Sequence, residues 1–528
     1  MICYHNIHQK NGDGSSPATH WCLLIIEGQP VVQHGSEFCA FIIGEVHQLV
    51  LIDALSRLEE YLFLHSRPSP LHFGGMGMAQ KRKTKIKRVK MLHVIKENAA
   101  GIDIGATEIY IAVPDDRDPH SVRCFGTFTT DLHDAAKWLK ACSIDSIAME
   151  STGVYWIPVF QILESYNFEV VLVNAHHVKN VPGRKTDVQD CQWLQYLHSV
   201  GLLRGSYRPP QEVCAVRSLL RHRDGLVKTA ASCIQHMQKA LTQMNLQLHN
   251  VISDITGVTG LAILDAILSG ERNAQKLAAL KNSRIRATQD TISKSLEGDY
   301  LPEHVFTLKQ SLQVYRHYQQ MIAECDREIE SHLSNIDSHI DVDKNPPPPS
   351  TSSPRRGKGN EPDFDLRTHM YRILGTDLTQ IEGISAVTAH VFFAEVGCDV
   401  SKFPTAGNFA SWLNLCPGNK ISGGKVLSSH TLPGKNRLSK ALQISAMSLW
   451  RSQSYLGNYY RRKRARDGAP SAITDTAHKL ARIIYHLVKT GKQFDESVFN
   501  AQEEAHQKRA LKNLQNRAKS MGFQLVPC

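Results

Sequence analysis

The chain lacks the features that would assign it to a membrane, secreted or zinc-binding class of protein. Its apolar stretches are short and interrupted, although 42% of its 528 residues are hydrophobic, so none is long enough to span a bilayer. Its 12 cysteines form no Cys-x-x-Cys pair and no cluster with histidine. That scatter argues against a zinc site or a disulfide framework and for reduced thiols. No secretory leader pattern begins the chain, so we expect a cytoplasmic protein.

Acidic residues are in deficit over most of the chain. Fifty Asp and Glu residues face 61 Lys and Arg residues, which gives a net charge of +11. Residues 1–75 carry three basic and seven acidic residues, so the remaining 453 residues carry +15. A positive balance of this size favours a polyanionic partner such as nucleic acid. Ordinary surface lysines are the alternative, so charge alone does not decide the partner.

Four carboxylates occupy positions that a ribonuclease-H-like nuclease needs. Asp103 lies in GIDIGATEIYIAV, whose β-branched residues around a glycine turn predict a two-stranded hairpin. Glu150 ends the strand pattern SIDSIAME, just before STGVYW begins a helix. Asp187 and Asp190 lie in the helical pattern KTDVQDCQWLQYL, where their spacing places both on one helix face. Strand, strand end and helix can therefore converge on one edge of a sheet.

Carboxylates crowded in this way repel one another unless divalent cations lie between them. Hard cations such as Mg2+ or Mn2+ prefer oxygen ligands. Two such ions about 4 Å apart stabilise the attacking and leaving oxygens of a phosphodiester. The pattern therefore favours metal-dependent phosphoryl transfer.

Two other interpretations of these acids exist. A single Asp at a strand end is more often a solvated cap, although four acids in this order on these elements make that reading less favourable. An Asp-x-Gly turn after a first strand also begins actin-like sugar kinases. Those kinases need a second Asp-x-Gly strand turn and a glycine pair at the adenosine pocket, and we find no convincing copy of either in the sequence.

The pattern of secondary structure and the amino-acid composition change several times along the chain. Strand and helix patterns mix early, long helical periodicity follows, and NPPPPSTSSPRRGKGNEPD is typical of a linker. Near the start, the composition suggests an over-extended reading frame with the functional chain beginning near Met78, and a genuine accessory segment is the alternative. The expected segments are an N-terminal extension that is disordered or mis-annotated (1–78), a basic arm (79–95), a ribonuclease-H-like α/β domain (96–205), a helical or coiled-coil region (210–340), the Pro/Ser-rich linker (341–366), a mostly helical C-terminal domain (367–495) and a tail (496–528).

A second group of residues surrounds a pair of glycines in the C-terminal domain. Ser422 stands directly before Gly423 and Gly424, with Lys420 and Lys425 on either side. Glycines allow a close approach of the backbone to a phosphate, and lysines neutralise it. A serine hydroxyl held there could attack phosphorus and form a covalent intermediate. A lysine-flanked glycine turn without chemistry is the alternative.

Other hydroxyls and basic residues extend this hypothesis. Ser428 and Ser429 are equally polar rivals of Ser422. In NYYRRKRARDGAP, five basic residues at 461–466 stand beside Tyr459 and Tyr460 and could contact phosphates and bases, although a solvated helix end would look the same. The residues expected to contact nucleic acid are Lys420, Gly423, Gly424, Lys425, Arg184, Lys185, Arg461, Arg462, Lys463 and Arg464.

Several long blocks resemble one known family. GIDIG, AMESTGVYW, NVPGRKTDVQDCQWLQ, LHSVGLLRGSYRP and LCPGNKISGGKVLSSHT, in this order, are similar to the insertion-sequence one-ten family of transposases. GRKTDVQDCQWLQ and NKISGGKVLSS resemble its eleven-eleven subgroup. The resemblance covers residues 96 to 490, whereas residues 1–75 have no counterpart, and the linker is longer and more polar than the family needs.

The resemblance implies a RuvC-type domain with a DEDD metal site, a coiled-coil region and a C-terminal transposase domain. The metal ligands would be Asp103, Glu150, Asp187 and Asp190, and the nucleophile would be Ser422. Members of the family resemble DNA recombinases that a structured noncoding RNA guides. They act as multimers, here a dimer or tetramer, with sites shared between subunits.

We therefore expect an RNA-guided, serine-dependent DNA transposase of a bacterial insertion sequence, associated with the nucleoid. Its partners would be the element ends, the target DNA and the guide RNA. The alternative is a metal-dependent junction resolvase of RuvC type, in which water attacks instead of serine. A catalytically silent nucleic-acid-binding remnant is a third possibility.

Overall fold

The structure is a computed structural model that describes residues 6–7, 21–26, 29–34, 93–174, 187–350, 360–434 and 436–524. The chain divides into two compact units, Met1–Met91 and Leu92–Cys528. In the first unit, three strands form an antiparallel sheet that the sequence analysis did not predict: β1 (Asn6–Ile7), β2 (Trp21–Ile26) and β3 (Gln29–His34). Met78 and residues 79–92 of the predicted basic arm lie outside the described residues.

The second unit begins with a five-stranded mixed sheet. Its strands are β4 (Ala99–Ile104), β5 (Glu108–Ala112), β6 (Val122–Gly126), β7 (Ser146–Glu150) and β8 (Glu169–Val173). The order across the sheet is β6-β5-β4-β7-β8, and β5 alone among these five runs antiparallel to β4. The predicted hairpin around the Gly105 turn is confirmed as β4 and β5. The carboxyl ends of the four parallel strands consequently share one edge of the sheet.

Helices cover both faces of this sheet. The helices of this region are α1 (Thr129–Ala141), α2 (Trp156–Ser165) and α3 (Asp187–Ser199). Ala100, Ile102 and Ile104 of β4 pack in one core with apolar residues of α1 and α2. Because successive side chains of a strand point to opposite faces, Gly101 and Asp103 belong to the other face, which α3 covers. This arrangement of layers is consistent with a ribonuclease-H-like fold.

A long helical hairpin follows the sheet. It consists of α4 (Gln211–Gln243) and a later helix of equal length, and four short helices lie between them: α5 (Leu248–Val251), α6 (Val258–Leu268), α7 (Ala274–Ala279) and α8 (Gln289–Ser295). The second long helix, α9 (Pro302–Ser334), runs antiparallel to α4, because Arg223 pairs with Asp326 while Ala240 shares a core with Leu308 and Leu312. The long helical periodicity expected for residues 210–340 thus corresponds to a hairpin of two long helices within one chain.

The C-terminal region is mostly helical, as expected. Its elements are α10 (Leu366–Leu374), α11 (Ala386–Val396), α12 (Ala406–Trp412), the short strands β9 (Lys420–Ser422) and β10 (Lys425–Ser428), α13 (Arg437–Ser448), α14 (Tyr455–Asp467), α15 (Ala469–Thr490) and α16 (Asn500–Ser520). Phe392, Phe409 and Tyr485 are fully buried at its centre. Arg217 of α4 donates to the Ala394 carbonyl oxygen at 2.9 Å and so ties this region to the hairpin.

None of the helices in the described ranges is both long enough and apolar enough to cross a membrane.

Candidate active site

Asp103 and Glu150 are register neighbours at the ends of two adjacent parallel strands. Ile102 of β4 pairs with Met149 of β7, so the next residues along the two strands are Asp103 and Glu150. Side chains at matched positions of parallel strands point to the same face. Asp103 also accepts a hydrogen bond from the Ile104 amide at 3.1 Å, and Glu150 accepts one from the Thr152 hydroxyl at 3.4 Å. The two carboxylates therefore lie side by side at the carboxyl edge of the sheet.

Gly101 allows α3 to pack directly on β4. A Cβ at this position would lie within 3.0 Å of the Cys191 carbonyl oxygen and the Gln195 nitrogen, closer than side chains normally approach. The Gln195 side chain donates to the Ala99 carbonyl oxygen at 3.2 Å. The helix therefore runs opposite to the strand, with Gln195 near the start of β4 and Cys191 further along it.

This direction brings the first turn of α3 towards Asp103. Asp190 precedes Cys191, and Asp187 begins the helix. Burial, followed by the negative charges of Asp103 and Asp190, raises the pKa of the Cys191 thiol to about 12. The Cys191 backbone itself packs against Gly101 of β4, so this part of α3 lies on the face of the sheet that carries Asp103. The structure thus makes Asp103 and Glu150 register neighbours and places Asp190 on α3, which packs on the same face of the sheet. The Asp187 side chain, Arg184 and Lys185 lie outside the description.

We expect Gly101→Ala to lower the free energy of unfolding by about 1–3 kcal/mol, the usual cost of overpacking a core. The added methyl group would meet backbone atoms of α3, which cannot rotate away. Urea unfolding followed by circular dichroism measures the change. Gly225→Ala is the matched control, since nothing lies within 4 Å of a Cβ there and the residue lies inside α4. That variant should gain up to about 1 kcal/mol from helix propensity. Equal stability of Gly101→Ala and the parent would contradict the close packing of α3.

The donor set at this edge consists of carboxylate oxygens and suits a hard divalent cation. Among the described side chains, no three His, Cys, Asp or Glu residues stand close enough together to hold a metal ion. The Asp187 side chain is not among those described, so this statement concerns Asp103, Glu150 and Asp190 but not the fourth predicted acid. The chemistry of these donors fits Mg2+ or Mn2+.

Ser422 lies at the tip of an exposed β-hairpin. It pairs with Lys425 across the two-residue turn of Gly423 and Gly424, whose φ angles are +55° and +76°. Positive φ at both central residues defines the tight turn that joins two twisted strands and requires glycine-like residues. Nothing lies within 4 Å of a Cβ at either glycine. The glycines therefore present Ser422 and Lys425 to the outside, and Lys420 is exposed at the start of β9.

The two rival serines lie further from the turn. Ser428 ends β10 beside a register irregularity, is half-buried, and accepts a hydrogen bond from the His430 amide at 3.5 Å. Ser429 follows it and is exposed. Among these three serines, Ser422 is the one that adjoins the glycine turn.

Most basic side chains of the predicted run on α14 contact other residues of the chain. Arg461 donates to the Trp450 and Ser452 carbonyl oxygens. Arg462 forms an ion pair with Glu503, in which Nη1 donates to both carboxylate oxygens, at 2.9 and 2.8 Å. The neighbouring contacts are those of Lys463 with Asp475 and of Arg464 with the Trp450 ring. Tyr460 is buried, so Tyr459 is the better placed of the two tyrosines.

The structure contains two features that were not predicted from the sequence. Gly101 positions α3 against the acids, and a glycine inside a strand pattern is a known sign of close backbone approach. A basic stripe also runs along α15, where Lys479, Arg482 and His486 recur at helical spacing.

A mixed sheet of this topology, with acids at the ends of its central strands, is consistent with the ribonuclease-H-like class of transposase domains. Residues 100–246 match the transposase family model for the DEDD domain of IS110 elements. Residues 375–461 match the model described as Transposase IS116/IS110/IS902 family. Over these two segments the chain is similar to transposases of IS110-type insertion elements, in agreement with the resemblance to the insertion-sequence one-ten family.

A curated relative points the same way. The insertion element IS110 uncharacterized 43.6 kDa protein of Streptomyces coelicolor is 31% identical to this chain over 120 residues. The alignment covers 22% of this chain and 29% of that relative, so it spans less than a third of the relative's length.

Proposed function

We propose that this chain is a site-specific DNA recombinase of an insertion sequence of the eleven-eleven subgroup, which cuts and rejoins DNA through a bond to Ser422 under the guidance of a structured noncoding RNA. The observation that carries the proposal is the register of β4 and β7, in which Asp103 and Glu150 are neighbours at one sheet edge, with α3 packed on the same face of the sheet. The matches of both domains to transposases support it.

The acids would hold the divalent cation. Asp103, Glu150 and Asp190, together with Asp187, would supply its oxygen ligands. When bound, such a cation neutralises charge that develops on a phosphodiester. Asp103 and Glu150 are fixed by sheet hydrogen bonds, and Asp190 by the packing of α3 on Gly101, so these residues orient the scissile phosphate with little motion of their own.

Ser422 would provide the attacking oxygen. Its Oγ forms a bond to phosphorus while one bond between phosphorus and a deoxyribose oxygen breaks, and that oxygen leaves as a hydroxyl with the proton that the serine gives up. Attack by the deoxyribose hydroxyl of a second DNA end reverses these changes and releases the serine. Phosphodiester bonds are conserved throughout, so joining needs no external energy source. Lys425, paired with Ser422 across the turn, would attract the phosphate.

The partners would be the element ends, the target DNA and the guide RNA. The positive charge of +15 on residues 76–528 suits such polyanions. We further propose that the protein acts as a dimer or tetramer whose subunits share sites.

A covalent protein–DNA adduct tests the proposal. The full chain, Mg2+, the RNA transcribed from the element end and a DNA junction labelled on each strand in turn are incubated and separated on a denaturing gel. We expect an adduct that depends on RNA and Mg2+, and mass spectrometry should locate the DNA on the peptide that contains Ser422. Cleaved DNA without any adduct would instead favour the resolvase alternative, in which water attacks. An adduct on another residue would refute the role of Ser422 alone.

A further inference from the structure

A cleft of about 670 Å³ lies in the C-terminal domain, away from the Ser422 hairpin in sequence. Its walls are formed by α15, by residues 492–499 that follow it, and by part of α14. Sites for small organic molecules typically measure roughly 300–1,000 Å³, so this cleft has the size of a ligand site. The aromatic and basic side chains that line it are Tyr459, His478, Lys479, Arg482, His486 and Lys492.

Lys479 lies among aromatic rings at one wall of the cleft. Its ammonium group is 4.5, 4.6 and 4.9 Å from the ring centroids of Tyr455, Tyr459 and Phe499. It also donates to the Tyr455 hydroxyl at 2.7 Å. Aromatic faces stabilise a cation that has lost part of its water. The charge is thereby held in place without being neutralised.

The cleft is lined by three cations, Lys479, Arg482 and Lys492, and by one acid, Asp495. In the described parts of the chain, no carboxylate forms an ion pair with Lys479 or Arg482. Burial, and then repulsion by Arg462 and Arg482, lowers the pKa of Lys479 to about 8. Asp495, the acidic residue of the lining, already accepts hydrogen bonds from the Ser497 amide and hydroxyl. An anion that enters the cleft would therefore relieve repulsion between cations.

The cations of the neighbouring helix show the contrast. On α14, Arg462 pairs with Glu503, and Lys463 pairs with Asp475. Those two groups are paired with carboxylates of the chain, whereas Lys479 and Arg482 of α15 line the cleft without such a pair among the described residues. This difference indicates that an external anion would bind the cations of the cleft rather than those of α14.

We infer that this cleft binds one unpaired nucleotide of a nucleic-acid strand, with the phosphate at Lys479 and Arg482 and the base against Tyr459. The wall supplies both components that such a ligand needs: cations for the backbone and an aromatic ring on which any base can stack. A base inside a duplex is already paired and stacked, and must leave the helix before it can enter a pocket. The inference rests on the proposed function only for the source of the strand, which could be either unpaired DNA or RNA.

Direct binding to the full chain tests the inference. Fluorescein-labelled deoxythymidine and uridine decamers and a ten-base-pair duplex are titrated with the protein, and fluorescence anisotropy is recorded without Mg2+. We expect Arg482→Ala to weaken binding of at least one single strand about five-fold or more, with a smaller effect on the duplex. The matched control is Lys489→Ala, which removes the same charge from the same helix at an exposed residue outside the cleft lining and should change the affinity less than two-fold, roughly the effect of general electrostatics.

Photo-crosslinking gives a second readout that does not depend on a substitution. A decamer that carries one 5-iodouracil is irradiated with the wild-type protein and the crosslinked peptides are identified. We expect the crosslink at Tyr459 or on the adjoining face of α15. Preference for the uridine strand would point to RNA and preference for the thymidine strand to DNA, and either supports the inference.

Three results would overturn it: equal weakening by Arg482→Ala and Lys489→Ala, crosslinks confined to other regions, or complete displacement of the decamers by millimolar inorganic phosphate. The last would reduce the cleft to an anion site. These binding assays do not require recombination. If no Ser422 adduct forms but the binding results are as expected, the proposed nucleotide site still stands. If the protein recombines but the binding results are not as expected, only the proposed nucleotide site in the cleft is refuted.

Discussion

Asp103→Asn is expected to reduce recombination by more than 100-fold, because even outer partners of a metal ligand cost about 10–100-fold when removed. The amide keeps the size of the side chain but replaces an anionic oxygen. Asp103 lies one residue before the end of β4, in register with Glu150, so the substitution would remove one of the proposed metal ligands at this edge. Quantitative amplification of the joined element–target product measures the effect.

The matched control for this substitution is Asp115→Asn. Asp115 is an exposed carboxylate on the loop after β5, and that loop lies at the opposite edge of the sheet because β5 runs antiparallel to β4. Recombination by this variant should equal that of the parent, and both variants should unfold at the parent's urea midpoint. Full recombination by Asp103→Asn would exclude a metal-binding role for this edge.

Ser422→Ala is expected to eliminate joining altogether while DNA and RNA binding persist. Loss of a catalytic nucleophile can lower turnover by a factor on the order of 10⁶, which places the remaining product below detection. The substitution removes one oxygen from an exposed hairpin tip, and the turn itself is set by Gly423 and Gly424. The hairpin should therefore keep its shape. Gel-shift titration and the recombination assay, performed on the same preparation, separate binding from chemistry.

The neighbouring serines provide the controls for Ser422. Ser428→Ala and Ser429→Ala each remove the same group from the same hairpin region, but from positions outside the glycine turn. Both variants should recombine within about two-fold of the parent, the range of ordinary surface substitutions. If Ser428→Ala or Ser429→Ala abolished recombination while Ser422→Ala remained active, the nucleophile would be that other serine and not Ser422.

Much of the acid-bearing domain could be predicted from local patterns. Alternating β-branched residues around Gly105 predict the hairpin that carries Asp103, and the apolar run that ends at Glu150 predicts β7. The helical pattern around Asp190 is confirmed as α3. These predictions succeed because strand alternation and helical periodicity are properties of neighbouring residues. The resemblance to the transposase family, which the domain matches support, rests on the same blocks.

The basic residues show where local patterns fail. The run Arg461 to Arg464 is the densest cationic segment of its domain, yet Arg462 is paired with Glu503, which lies 41 residues further along the chain. Lys479 and Arg482 are less conspicuous in the sequence, yet they line a cleft. Charge density in a sequence does not reveal whether a cation has a partner, because the partner is chosen by packing.

Within the acid-bearing domain, the sequence by itself determined the type and order of the elements and the identity of the side chains that can ligate or attack. Only the tertiary structure decided which of them meet. The hydrogen bond from Gln195 to Ala99 joins residues 96 positions apart, and together with the missing side chain at Gly101 it selects the face and direction of α3 and hence the approach of Asp190 to Asp103. Short-range patterns encode dihedral preferences and burial, whereas such contacts arise only when distant segments pack against one another, since their free energy depends on the shape of both surfaces.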